Sequence, residues 1–156
     1  MKFAELDDYD EIVELFNSYK EFFPHVRKDS IKERIESNEC LFDEGVVITF
    51  KVHKRGVQIG HKIKTKKTDC VIRQILSKNH NGSGTKILNE FFEYTSNSHF
   101  FSGVVYLTVR SDNDRARKFY EKNGMELVDT TSWSEGKLDG VVYRKVPESN
   151  LITKFS

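Results

Sequence analysis

The stretch Val104–Met125, VVYLTVRSDNDRARKFYEKNGM, decides how the chain folds. It opens on an apolar run, Val104–Val109, rich in the β-branched and aromatic residues that suit a buried strand. Polar Arg110-Ser111-Asp112-Asn113 interrupts it. Asn113 is a good helix N-cap, because its side-chain oxygen can accept from a free N–H of the first turn. Ala116, Phe119 and Tyr120 then recur at helical spacing. Lys122 falls in the last turn, and Gly124 supplies the stop. The reading is strand, tight turn, capped helix, glycine stop. The upper end of that strand and the start of that helix would line a cleft in a mixed sheet.

A second unit of the same kind precedes it. Cys70–Ser77 reads as a strand, with Val71, Arg73, Ile75 and Ser77 on one side and Ile72, Gln74 and Leu76 on the other. A polar glycine loop follows, Lys78-Asn79-His80-Asn81-Gly82-Ser83-Gly84. Thr85–Tyr94 is then a helix with Ile87, Leu88, Phe91 and Phe92 inward. Thr95–Gly103 leads back to the opening strand. A strand–helix–strand unit requires parallel strands and a right-handed crossover.

Toward the N-terminus, Lys2–Glu5 is an expected edge strand. Asp7 or Asp8 caps a helix to about Lys20, ended by Phe22-Phe23-Pro24. Asp29 or Ser30 caps a second, with Ile31 and Ile35 on one face and Asn38 closing it. Val46–Val52 and Val57–Ile63 flank Lys54-Arg55-Gly56, a hairpin signal, with Lys64–Asp69 as a polar turn. Beyond Gly124, Leu127–Trp133 and Val141–Val146 form a closing antiparallel pair. Ser134–Gly140 connects them, and Gly136 and Gly140 bracket a lid-like loop there. Residues 1–146 read as a single domain and 147–156 as a loose tail.

The 156 residues suffice for one domain with a core, and 31% charged with 12% aromatic residues fits a globular protein rather than a disordered one. No apolar run nears the ~20 residues of a membrane span. Met1-Lys2-Phe3 runs straight into acidic residues, unlike a signal peptide. Cys40 and Cys70 lack metal-ligand spacing and are expected to be free, buried thiols of a cytoplasmic protein. The net charge of +1 is unevenly spread: Gly45–Lys78 holds nine basic residues against Asp69 alone. Such a patch attracts polyanions or a phosphorylated cofactor, although a solvated face is the plainer reading of a charge run.

Glycines between strand and helix let backbone N–H groups approach a phosphate, and the helix dipole favours its charge. Asn81, Gly82, Ser83, Gly84 and Thr85 are placed for this. The two units together resemble the GNAT superfamily of acyl-CoA-dependent N-acetyltransferases. The family pattern L-x-V-x-x-x-N-x-x-A-x-x-F-Y-E-K-x-G is matched by Leu107, Val109, Asn113, Ala116, Phe119, Tyr120, Glu121, Lys122 and Gly124. The order of elements follows the family along nearly the whole chain.

The resemblance implies an α/β fold of the GNAT type, with a mixed, mostly antiparallel sheet, a splayed parallel central strand pair and helices on both faces. It implies acetyl-CoA as acyl donor, no metal, and a primary amine as acceptor. The pantetheine arm would bond to the backbone near Ile75, Leu76 and Ser77, the loop Asn81–Thr85 would hold the pyrophosphate, and Asn113 would contact the cofactor arm. Tyr120 would act as general acid toward the leaving thiolate, a role a positioned phenol can fill. The chain departs from the family pattern at Asn79, where Gln or Arg is usual, at Asn81 and Ser83 around the glycines, and at Met125. No general base stands out. His61 and His80 are the candidate bases off the central strand, since histidine as a residue type titrates near neutral pH, and Arg73 reads as a fixed positive charge for an anionic acceptor or as a salt-bridged surface residue.

A fainter similarity, carried by Gly136-Lys137-Leu138-Asp139-Gly140-Val141-Val142-Tyr143 and the altered glycine loop, is to phage DNA-modifying acyltransferases of the Mom type. With the basic hairpin 51–67 it makes a nucleic acid the alternative acceptor, whether a DNA base or an aminoacyl-tRNA. A degenerate module that binds acyl-CoA or a partner without turnover is the third reading. Oligomeric state stays open, a homodimer included.

Overall fold

The computed structural model describes residues 1–21, 26–79 and 81–147. The elements are α1 (Tyr9–Ser18), α2 (Lys28–Glu36), β1 (Cys40–Asp43), β2 (Val46–Val52), β3 (Cys70–Ser77), α3 (Ser83–Asn97), β4 (Val105–Arg110), α4 (Asp114–Lys122), β5 (Glu126–Trp133) and β6 (Leu138–Lys145). The six strands form one sheet in the order β1-β2-β3-β4-β6-β5. β3 and β4 pair in parallel, with Cys70 opposite Val105 and Val71 opposite Tyr106. β1–β2, β4–β6 and β5–β6 are antiparallel. This is the mixed, mostly antiparallel sheet with one central parallel pair that the resemblance implies.

Chain contacts divide the fold into two compact units, residues 1–51 with 72–91, and residues 52–71 with those from Phe92 onward. In the first, Ile12 and Phe16 of α1 and Ile31 and Ile35 of α2 pack with Cys40, Val47 and Leu76. Removing one such side chain from water contributes about 1.5–3 kcal/mol, so these apolar faces, rather than helix propensity, hold two short helices in place. Asp8 stands at the N-cap of α1, as expected, without a side-chain cap bond; α2 starts earlier than expected, so Asp29 and Ser30 fall inside it and Arg27 takes the N-cap position. Neither Cys40 nor Cys70 is in a disulfide and both are buried, as expected.

Lys2–Glu5 contributes only a bridge between Phe3 and Leu41. Residues 40–43, by contrast, form a strand, joined to β2 by Glu44 and Gly45, both with positive φ (50° and 76°). Two left-handed residues in succession suit a tight hairpin.

The expected strand Val57–Ile63 does not form. Residues 53–69 are a folded loop holding a single bridge, Gln58 to Lys64. The cause is long-range. Ile59 and Ile63 pack onto Val71, Tyr106 and Val142 in the core of the second unit. The Asp129 carboxylate accepts from the backbone N–H groups of both Lys62 and Ile63 at 2.8 Å, which turns the chain instead of extending it. Thr65 and Val57 bond reciprocally, and His61 N donates to the Thr130 carbonyl at 2.8 Å. Lys54, Arg55, Lys62, Lys64, Lys66 and Lys67 all stay exposed on this loop.

The lid-like loop is also corrected. β5 and β6 are joined by four residues, 134–137, with Ser134, Glu135 and Gly136 all at positive φ. Gly140 lies inside β6, opposite Arg110 and Thr131. A Cβ there would stand 2.4 Å from the Trp133 ring, so glycine lets that ring lie against the strand. At the far end, Pro147 is buried against Gly103; the remainder of the expected tail, 148–156, lies outside the described residues.

Candidate functional site

The second unit carries the helix that the sequence singles out. Asn113 Oδ1 accepts from Ala116 N at 3.2 Å, which fixes the first turn of α4. Its amide nitrogen has no partner among the described residues. Gly124 ends the helix at φ 84°. Between these caps lies Tyr120, whose ring packs on Phe119 and Tyr143 with centroids 5.7 and 5.9 Å away. Its side chain is half-buried and its hydroxyl has no hydrogen-bond partner among the described residues. Burial, and then Tyr143, pushes this phenol up to about 12. It therefore stays protonated at ordinary pH and is a hydrogen-bond donor with no acceptor among the described residues.

A network missing from the sequence reading locks α4 to β6. The fully buried Tyr143 donates its hydroxyl to Glu121 Oε2 at 2.6 Å and accepts from Arg117 Nε at 3.1 Å. Arg117 Nη1 reaches the Ser111 carbonyl at 2.9 Å. Burial first, then the bond to Glu121, raises the Tyr143 pKa, while Arg117 opposes the shift. The sequence offers only a period-2 strand with a tyrosine in it, because the partners lie 22 and 26 positions away.

The first unit carries the glycine loop. Asn81 Oδ1 accepts from Ser83 N at 3.2 Å and from Ser83 Oγ at 2.6 Å. Gly82 sits at φ 91° with nothing within 4 Å of a Cβ built there. α3 begins two residues earlier than expected, so Gly84 and Thr85 belong to its first turn, where backbone N–H groups lack helical partners. The loop is braced below: Lys78 N donates to the Gly45 carbonyl at 2.8 Å, and Lys86 pairs with Glu44 at 3.0 Å. On β3, Ile75 is half-exposed and Leu76 is buried in the core. The Ser77 carbonyl accepts from Tyr19 Oη at 2.7 Å and the Ser77 hydroxyl bonds to Asn79 O. Of the three residues expected along the cofactor arm, Ser77 is thus already engaged.

Of the histidines, His61 bonds Thr130 through Nδ1 at 2.8 Å and Ser132 through Nε2 at 3.3 Å. Both nitrogens serve to hold the folded loop. His80 lies outside the described residues. The acidic group that sequence reasoning passed over is Glu39, which is 8% exposed. Its Oε1 lies 3.5 Å from both Arg34 Nη1 and Lys51 Nζ.

The sequence profile of the Acetyltransferase (GNAT) family matches residues 12–125, most of the chain. The chain belongs to that family. Solved GNAT structures share its fold at low identity. An acetyltransferase of the GNAT family from Bacillus cereus is 14% identical, with 94% of this chain and 95% of that one covered at a TM-score of 0.69. NAA60 of Arabidopsis thaliana, in complex with acetyl-CoA, is 12% identical over 93% and 97% at 0.67. The ribosomal-protein-S18-alanine N-acetyltransferase of Escherichia coli is 12% identical over 94% and 91% at 0.65. No curated protein sequence is a significant match. The matched span takes in the glycine loop and the whole of α4, including the Asn113 cap and Tyr120.

Proposed function

We propose that this GNAT protein transfers an acetyl group from acetyl-CoA to a primary amine. The observation that carries this reading is Tyr120, a protonated phenol with no hydrogen-bond partner among the described residues, on a helix fastened at both ends. The residues fit the donor. In the first unit, the open space at Gly82 and the Gly84 and Thr85 amides in the first turn of α3 suit a pyrophosphate. In the second, the Asn113 amide nitrogen is available to an amide carbonyl of the cofactor arm. Bound acetyl-CoA supplies the acetyl group as a thioester. Overall a C–N bond forms, a C–S bond breaks, and the ammonium acceptor gives up protons as thiol is released.

Tyr120 contributes by donating a hydrogen bond to the sulfur as its charge develops. A thiol of ordinary pKa about 8.5 is a weaker base, once ionised, than a phenolate whose phenol titrates near 12. Complete proton transfer from Tyr120 is therefore uphill, and hydrogen-bond donation is its main work, with solvent delivering the proton afterwards. Arg117, Glu121 and Tyr143 hold the helix that presents it.

Two measurements test this. Acetyl-CoA at millimolar concentration should raise the melting temperature, because it binds only the folded chain. Tyr120→Phe should retain that shift while turnover, followed by free-thiol release with an amine, falls about 10²–10³-fold, the loss expected for one preorganised donor. Absence of the shift in the parent protein, or full turnover in the variant, would refute the reading.

A further inference from the structure

β3 is an interior strand, third of six, and its ends are packed: Cys70, Val71, Ile72 and Leu76 are buried. Its middle is not. Arg73 is exposed and Gln74 and Ile75 are half-exposed, so the sheet opens to solvent at a place where a structural strand would be covered. The Arg73 side chain makes no hydrogen bond and no ion pair among the described residues.

Its surroundings are more cationic than structure requires. Gln74 meets the Thr49 hydroxyl, which sets Arg73 one residue along β3 from that contact. The next residue of β2, Phe50, donates its N–H to the Glu39 carbonyl at 3.0 Å, and Glu39 N donates to the Arg34 carbonyl at 2.8 Å. Arg34 and Lys51 share the Glu39 carboxylate, and Arg73 lies near enough to interact electrostatically with Arg34 and Glu39. Burial, then repulsion by Arg34, lowers the Arg73 pKa, and Glu39 offsets this only in part. An exposed guanidinium held against a like charge, at the open centre of a strand, leaves a favourable place for an external anion. A guanidinium binds carboxylate and phosphate through two parallel N–H bonds, which a lysine cannot reproduce.

We propose that Arg73, with Arg34 beside it, is a binding site for a carboxylate or phosphate group carried by the amine acceptor. The inference rests on the acetyl-transfer reading for the word acceptor, and on the local charge arrangement for the anion. Acceptors that pair an amine with an anionic group are then selected over neutral or cationic amines.

The test uses matched pairs: glycine against glycinamide, and O-phosphoethanolamine against ethanolamine, with acetyl-CoA as donor. In the parent protein the anionic member of at least one pair should be acetylated with a kcat/KM at least tenfold higher; which pair shows it separates carboxylate from phosphate. Arg73→Gln should erase that preference and leave the acetyl-CoA melting shift intact, and Arg73→Lys should restore part of it. Neutral amines used as well as their anionic partners, or a preference that survives Arg73→Gln, would overturn the proposal. Titration with inorganic phosphate, read by melting temperature, gives an arm that needs no turnover. The glycine loop would respond alike in both proteins, so the parent should be stabilised measurably more than Arg73→Gln, and equal responses would count against the site even if acetyl transfer were absent.

Discussion

Tyr143→Phe isolates the network that fixes α4. The ring stays, so no cavity forms, and the change removes only a hydroxyl from a fully buried side chain. That hydroxyl donates to Glu121 at 2.6 Å and accepts from Arg117 at 3.1 Å. Hydrogen bonds to charged groups contribute about 1.5–3 kcal/mol each. Both partners are solvent-accessible here, with Glu121 exposed and Arg117 half-buried, so each recovers water when the hydroxyl goes. The expected net loss is therefore ~1–2 kcal/mol. For a chain of this length that lowers the melting temperature by about 2–8 °C. The assay is urea denaturation of the parent, Tyr143→Phe, Glu121→Gln and the double variant. The network predicts that the single effects do not add, with a coupling above about 0.5 kcal/mol. Additive effects, or an unchanged denaturation midpoint for Tyr143→Phe, would show that the hydroxyl does not tie the helix to β6.

Other outcomes follow from the same geometry. Asp129→Asn should loosen the folded loop 53–69 and speed tryptic cleavage at its lysines and arginine. The N–H of Lys62 above all, with those of Ile63 and Thr130, holds the Asp129 carboxyl below the usual carboxylate range, against the effect of burial. A lowered folded-state pKa gives stability that is complete above the ordinary aspartate value of about 3.9. It is lost as pH falls through the lowered value, so parent and variant should differ in urea stability at pH 7 and converge in strong acid. A difference that persisted unchanged in strong acid would exclude the carboxylate as its source. The thiols should be silent in the native state. Burial first, then the charge of Asp8, pushes Cys40 up to about 12, and Cys70 is 1% exposed. A thiol reagent at pH 8 should therefore label neither quickly and both on unfolding, and fast native labelling of Cys40 would contradict its packing.

The fold is legible in the sequence where local physics decides it. β3 runs from Cys70 to Ser77 as the alternation predicts, and α4 starts at its Asn113 cap and stops at Gly124. Failures occur where distant residues decide. Val57–Ile63 has the composition of a strand, but its shape is set by Asp129, which lies 66 residues beyond Ile63. β1 was missed because its turn is Glu44-Gly45, and glutamate rarely signals a left-handed residue. The expected loop over Ser134–Gly140 was too long, because three consecutive left-handed residues close the hairpin early. In the candidate site, the capped helix and the glycine loop were legible from spacing. The Tyr143 network and the cations around Glu39 were not, because they depend on pairings that no short motif encodes.

Both rims of the sheet are occupied, and this bears on self-association. A bare edge strand is a template on which a second chain can add, the route to fibrils and to swapped dimers. In the first unit, β1 is met by the chain's own start, through Ala4 N to the Cys40 carbonyl and Phe42 N to the Lys2 carbonyl, both at 2.9 Å. In the second unit, β5 is capped midway by His61 N on the Thr130 carbonyl. The Asp129 tether that abolished a strand thus places a plug on the edge that strand would have left open, and six lysine and arginine side chains on the plug repel a second copy.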